Sequence, residues 1–194
     1  MKLTAAVLEN NFVRLEPFEE RHKEPLRLAC DADPELWPAL YYMSLGGDQF
    51  DAGWASLRAQ QAAGTRIPFA VIHDGEVVGC STYIGIQPDN RALEIGTTYY
   101  RPSSRGGAVN PAAKRLLLDH AFACGAGRVV FQVDAINARS RAAMTKLGAV
   151  EEGLMRNDKI TWTGRVRSSV IFSILAEEWP MVRAKLDARL AAFG

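Results

Sequence analysis

The chain has 194 residues, 48% of them hydrophobic and 23% charged, and its 23 basic and 22 acidic side chains leave a formal net charge of +1. That length and mix can build a hydrophobic core without staples, and they exclude a disordered or fibrous chain. No apolar run reaches the roughly 18 residues of a membrane span, and the polar N-terminal stretch does not read as a secretory leader. Three scattered cysteines and three scattered histidines give no disulfide frame and no metal-ligand spacing, so free thiols, a cytoplasmic location and no metal are expected.

The pattern of polar and apolar residues predicts these elements in chain order. A strand runs over Val7–Leu15 and a helix over Glu19–Ala29; Asp33-Pro34 starts a helix that Trp37-Pro38 stops. Gln49–Ala63 carries Phe50, Trp54 and Leu57 at helical spacing. Pro68–His73 and Glu76–Ile84 are strands joined at Asp74-Gly75, a strong hairpin signal. A strand at Leu93–Tyr100, a helix at Asn110–Cys124 and a strand at Arg128–Asp134 follow, then a short helix at Ala138–Leu147 that Gly148 stops. Ala149–Arg156 and Val166–Leu175 read as an antiparallel pair around a polar loop, Asn157–Arg165, and Glu177–Ala191 is the last helix. The fold class is α/β with a mixed sheet. Leu93–Tyr100, Asn110–Cys124 and Arg128–Asp134 form a βαβ crossover, so those two strands are parallel and a ligand is expected at their carboxyl ends.

Charge is unevenly spread. Residues 1–100 carry 8 basic and 14 acidic side chains, a net of −6, and residues 101–146 carry 8 and 2, a net of +6. The acidic half predicts an acceptor with positive charge; the basic segment, centred on a glycine-rich turn, predicts an anionic ligand.

That turn is Arg101-Pro-Ser-Ser-Arg105-Gly106-Gly107-Ala108-Val109-Asn110-Pro111. Asn110 reads as the N-cap of the following helix and Pro111 as its first residue. Small residues and a helix N-terminus would aim amides and the helix dipole at one spot, as a pyrophosphate site requires. A plain turn is the bland alternative. Walker A spacing and a GxGxxG motif are both missing.

With these residues in view, the sequence resembles the GNAT superfamily of acetyl-CoA-dependent N-acetyltransferases. Gly106-x-Ala108 resembles the end of that family's pyrophosphate motif, (Q/R)xxGx(G/A), and Glu94-Ile95-Gly96 the strand before it. Asn137 with Ser140, and Lys146-Leu147-Gly148, resemble the helix that flanks coenzyme A. Glu151-Glu152-Gly153 and Glu178-Trp179-Pro180 resemble the branch that includes the ribosomal-protein alanine N-acetyltransferases. The resemblance runs from about residue 8 to 192 and implies one domain over residues 1–194. It also implies a mostly antiparallel sheet in which two parallel strands splay apart to admit pantetheine. By the same resemblance, Tyr99, Arg105, Gly106, Gly107, Ala108, Val109, Asn110 and Asn137 are the expected acetyl-CoA contacts. Two positions depart from the pattern. Ser103 stands where the phosphate motif has Gln or Arg, and Arg101 or Arg105 is left to supply the charge; Met144 stands where many relatives carry a general-acid tyrosine.

In the reaction so implied, an amine attacks a thioester, an oxyanion forms and a thiolate leaves. Glu94 is the expected base, directly or through water, with a structural hydrogen-bonded Glu as the alternative. A main-chain N–H near Tyr99 is the expected oxyanion donor. Ser140 is the expected proton source for sulfur, with aid to the helix cap as its alternative. Asn137 reads first as an N-cap. His120 and Trp179 read as structural, and Trp162 as an aromatic at the mouth of the site. The partners expected are a coenzyme A thioester and a primary amine, either a protein N-terminus or a small molecule, with a homodimer left open. A non-catalytic acyl-CoA-binding module is the competing class. DNA binding is not expected, since the basic segment lacks interleaved aromatics and a recognition-helix pattern.

Overall fold

Asp74 and Gly75 both adopt positive φ, 50° and 78°, as a two-residue hairpin turn requires. They join β3 (Arg66–His73) to β4 (Glu76–Gln87), and β5 (Ala92–Tyr100) completes the meander. Two short strands precede it, β1 (Leu8–Glu9) and β2 (Arg14–Pro17), and three follow, β6 (Arg128–Asp134), β7 (Val150–Ile160) and β8 (Val166–Leu175). The structure, a computed structural model, describes residues 1–193 and sets these strands in one sheet of order β1-β2-β3-β4-β5-β6-β8-β7. All neighbours are antiparallel except β5 and β6, which are parallel, as the crossover predicts.

Six helices cover the sheet: α1 (Lys23–Asp31), α2 (Leu36–Leu40), α3 (Phe50–Ala62), α4 (Val109–Ala123), α5 (Ala138–Leu147) and α6 (Trp179–Ala191). The alternation of β3 divides the core between the two faces. Phe69 and Val71 pack with Leu117, Leu118 and Val182, while Ala70 packs with Leu26, Trp37 and Leu57. Burying a large apolar side chain of this kind contributes roughly 1.5–3 kcal/mol. The stripe read from α3 is buried as its spacing implies, with Phe50, Trp54 and Leu57 all in the second cluster.

Several boundaries differ from the sequence reading, among them the first helix, which starts at Lys23 after a short 3-10 turn, and β3 and β4, which reach Arg66 and Gln87; four more differences have a clear local setting. Val7–Leu15 is two strands, because the Asn10 side chain accepts hydrogen bonds from the N–H groups of Phe12 and Val13, both at 3.0 Å, and folds a turn between them. Trp37-Pro38 does not stop α2 but lies inside it; Pro38 falls in the first turn, where no intrahelical donor is needed. Asn110 is not the cap of α4. The helix starts at Val109 with Ala108 at the N-cap position and no side-chain cap bond, and Asn110 and Pro111 lie in its first turn. Finally, β7 runs on to Ile160 past a bulge where Asn157 takes φ 52°, which shortens the last loop to residues 161–165.

Candidate active site

β5 and β6 pair over only three residues, Ala92–Glu94 with Arg128–Val130, and then separate. Beyond that point β5 bulges against β4: Thr97 and Thr98 stand opposite Ser81 alone, and Thr97 takes φ 46°. Positive φ is a rare state for a β-branched residue and persists only where the surroundings impose it. Here the Lys114 ammonium donates to Thr98 Oγ1 at 2.9 Å and to Ser81 Oγ at 3.4 Å, the two hydroxyls lie 2.8 Å apart, and Tyr41 OH donates to the Thr98 carbonyl at 2.7 Å. A cavity of about 820 Å³ opens at this splay, between β5 and β6 and the starts of α4 and α5.

Lys114 is buried and has no carboxylate within ion-pair distance among the described residues. Burial pushes its ammonium down to about 7. The sequence reading passed over it, yet a signal was there. Leu117, Leu118 and Ala121, at three, four and seven residues on, are all core residues, so Lys114 interrupts the apolar stripe of α4.

At the carboxyl end of β5 lies the glycine turn. Gly106 takes φ 82°, and a Cβ built on Gly106 or Gly107 would meet nothing within 4 Å, so the space beside them belongs to the cavity. Arg105 donates to the Tyr100 carbonyl at 2.7 Å and pairs with Asp33 at 2.6 Å, while its remaining Nη2 is buried without a partner. Arg101 is engaged by Glu76 at 2.6 Å. Gly106, Gly107, Arg105 and Asn110 line the cavity, and α5 adds Arg139 and Lys146, neither of which forms an ion pair among the described residues. An unpartnered guanidinium nitrogen and open backbone fit a polyanion such as the diphosphate of coenzyme A.

Three of the expected contact residues, Tyr99, Ala108 and Val109, do not turn their side chains to the cavity. The Tyr99 side chain points away from the cavity; it is buried, stacked on Trp37 at 4.7 Å, and donates to the Ala29 carbonyl at 2.8 Å. Alternation along the strand leaves that face to Tyr99 and the cavity to Thr98 and Tyr100. Val109 is packed in the core, and Ala108 does not line the cavity. Asn137 caps α5 by accepting the Ser140 N–H at 3.0 Å. Asn137, Ser140 and Met144 all line the cavity, and the Ser140 hydroxyl has no hydrogen-bond partner among the described residues.

Glu94 stands in the row Arg66, Ile84, Glu94, Val130 across β3, β4, β5 and β6, so it shares a level of the sheet with a cation two strands away. Its carboxyl forms no ion pair or hydrogen bond among the described residues. Burial pushes the carboxyl above the ordinary range, while Lys159, Arg167 and Arg66 oppose the rise. Glu94 apart, the acidic residues of the first hundred do not line this site. Glu16 is engaged by Arg14, Arg21 and His22, Glu24 by Arg27, Asp51 by Lys23 and Arg27, Asp33 by Arg105, and Glu76 by Arg101. Segment charge thus misreads the local sign. The basic segment is likewise divided: Lys114 is buried, and Arg115 and Arg128 pair with Asp187 and Glu152.

His120 is structural, with its Nε2 2.9 Å from the Thr4 carbonyl, and Trp179 stacks on Phe122 at 5.5 Å. Trp162 is half-exposed; its backbone donates to the Tyr42 carbonyl at 3.1 Å and its indole to the Trp37 carbonyl at 3.4 Å.

Residues 13–150 match the acetyltransferase (GNAT) domain family, and the chain therefore belongs to the GNAT acetyltransferases. Its relatives include ribosomal N-acetyltransferases. It is 30% identical over 123 residues to YdaF of Bacillus subtilis (strain 168), a protein provisionally named a ribosomal N-acetyltransferase; that match spans 63% of this chain and 66% of YdaF, just under two thirds. Mycobacterium smegmatis RimJ, solved with CoA-disulfide, superposes with a TM-score of 0.80 at 27% identity over 97% of this chain and 94% of RimJ. A provisionally assigned acetyltransferase from T. thermophilus superposes with a TM-score of 0.87 at 35% identity, over 98% of this chain and all of that one.

Proposed function

We propose that this protein is an N-acetyltransferase that moves the acetyl group of acetyl-CoA to a primary amine, acting as one catalytic unit in the cytoplasm. The observation that carries the reading is the splay of β5 from β6. It puts an anion-ready glycine turn at one end of a single cavity and an unpaired carboxylate, Glu94, at the other. RimJ, with its bound CoA-disulfide, supports a coenzyme A thioester as the donor, and the three free cysteines are in keeping with a reducing compartment.

Acetyl-CoA supplies an activated carbonyl when bound. Arg105, the amides of Gly106 and Gly107, and the cations Arg139 and Lys146 hold its phosphates, and Asn137 and Asn110 border the pantetheine path. Glu94 accepts the proton of the attacking amine as the C–N bond forms. A main-chain N–H of the bulge between Thr97 and Tyr99, away from regular ladder pairing, donates to the oxyanion. As the C–S bond breaks, the electron pair stays on sulfur, and the Ser140 hydroxyl donates a proton and recovers one from solvent. Thiolate is already a fair leaving group, with a thiol pKa of about 8.5, so Met144 in place of a tyrosine acid is no obstacle.

The test is release of free coenzyme A from acetyl-CoA with a panel of peptide N-termini, amino acids, polyamines and aminoglycosides, with the acetylated product identified by mass. Amine-dependent release with a matching product supports the reading. Tight acetyl-CoA binding without turnover across the panel would instead support a non-catalytic acyl-CoA-binding module.

A further inference from the structure

The charged side chains at the far end of the cavity define a second ligand group. Arg66 from β3, Lys159 from β7 and Arg167 from β8 all line the cavity near Glu94. Arg66 forms no ion pair among the described residues; it donates to Tyr42 OH at 3.4 Å, and its Nη1 is buried with no partner at all. A buried, permanently charged donor without an acceptor is costly. The Lys159 ammonium bonds the Gln132 side chain, lies 5.7 Å over the Tyr42 ring and is 3.9 Å from Asp158, which does not line the cavity. Arg167 bonds Ser169 Oγ and the Gln132 carbonyl and lies 3.9 Å from Asp134, whose carboxylate is taken by Arg165 at 2.5 Å. Three cations therefore stand against two carboxylates that accept no hydrogen bond among the described residues, Glu94 and Asp158, whose side chain is buried, and Arg66 pairs with neither.

Coenzyme A phosphates do not account for them. Tyr100 lies six positions along β5 from Glu94, up to roughly 20 Å of strand, and the glycine turn lies beyond. We infer that Arg66, with Lys159 and Tyr42 beside it, binds an acidic group of the acceptor, so that the acceptor is a primary amine carrying a carboxylate near the amine. Glu94 faces the amine while Arg66 takes the carboxylate, often with two parallel N–H bonds. This rests on the N-acetyltransferase reading and reverses the cationic acceptor expected from segment charge.

The experiment uses C-terminally amidated pentapeptides identical except for Glu, Gln or Lys at the second position, with free glutamate and glutamine as a small-molecule pair. In at least one pair the acidic member is expected to show kcat/KM about tenfold or more above its amide, with the Lys peptide lowest. In Arg66→Gln and Lys159→Gln that ratio is expected to fall towards one. The ratio is internally controlled, so a partly destabilised variant still reports. In the wild type, added salt should raise KM for the acidic member more than for its amide. Equal kcat/KM in both pairs, or a preference for Lys, overturns the inference, as does a ratio unchanged in both variants. If no amine is acetylated although acetyl-CoA raises Tm, the failure belongs to the transfer reading. Calorimetry on the CoA-loaded protein then decides the acidic subsite: tighter binding of the acidic members upholds it, and equal binding overturns it.

Discussion

Gly96 and Glu94 stand so close on β5 that a Cβ at position 96 would fall 2.7 Å from Glu94 Oε1. The glycine is the room in which the carboxylate sits, since the same Cβ would also come within 2.9 Å of Ile84 Cδ1. Gly96→Ala should therefore displace Glu94 towards the cavity, with overpacking that costs about 1–3 kcal/mol. Turnover should drop at least about tenfold with little change in acetyl-CoA affinity, because a general base has to lie within hydrogen-bond reach of its proton. Paired steady-state kinetics and calorimetry check this, and unaltered kcat would place the base elsewhere.

Glu94→Gln keeps the size of the side chain and removes its basicity. Turnover should fall by about 10²–10⁴, the usual range for general acid–base catalysis. The wild-type rate should decline as pH drops through a carboxyl pKa raised above 4.5 by burial, because only the ionised form accepts the proton. The variant should lack that limb and recover partly at high pH, where more amine is neutral. Retention of the acidic limb in Glu94→Gln would rule Glu94 out as its source.

Lys114 makes stability depend on pH in the opposite direction from a paired lysine. Its folded-state value of about 7 lies below the ordinary 10.5, so between those limits the unfolded chain binds more protons and stability rises with pH. Below about pH 7 the ammonium is charged in both states and the full cost of burial is present. The nearby titratable groups are Cys80, held up to about 12 by burial, and Glu94. Denaturant unfolding of the wild type should gain up to a few kcal/mol over Lys114→Met between pH 7 and pH 10. A constant difference across that window would show that the ammonium does not change its charge there.

Gly106→Glu should abolish the rise in Tm that acetyl-CoA gives the wild type, since a ligand that binds only the folded state stabilises by mass action. Gly106 takes φ 82°, so any side chain there adds backbone strain. Gly106→Asn is the control: asparagine tolerates this region better than most residues and adds no charge. It should lower the starting Tm yet keep most of the ligand-induced rise. Equal rises in both variants would move the phosphates away from this turn.

Local signals carried much of the architecture. Asp74-Gly75, the α3 stripe, the Asn137 cap and the βαβ crossover each depend on residues near one another in the chain, and each formed as read. The cap of α4 failed because Asn110 lies inside the helix, where its neighbours Val109 and Pro111 are already buried. Arg66, Glu94, Lys159 and Arg167 come from four strands, and only their register brings them together. No spacing rule reports that convergence. Charge summed over segments fails for the same reason, since half of the fourteen early acids are spent on arginines and lysines.

The three-residue pairing of β5 with β6 makes the sheet two rafts moored by a short seam. The five neighbouring strands from β1 to β5 form one raft and β6, β8 and β7 the other. Across the gap at the mouth, the 161–165 turn is tethered to the segment after α2 through Trp162 and Tyr42. A molecule lying along the gap touches both rafts, so it acts as mortar as well as reactant. Amide hydrogen exchange on the facing edges of β5 and β6 should slow together when acetyl-CoA binds, while the outer edges at β1 and β7 change little.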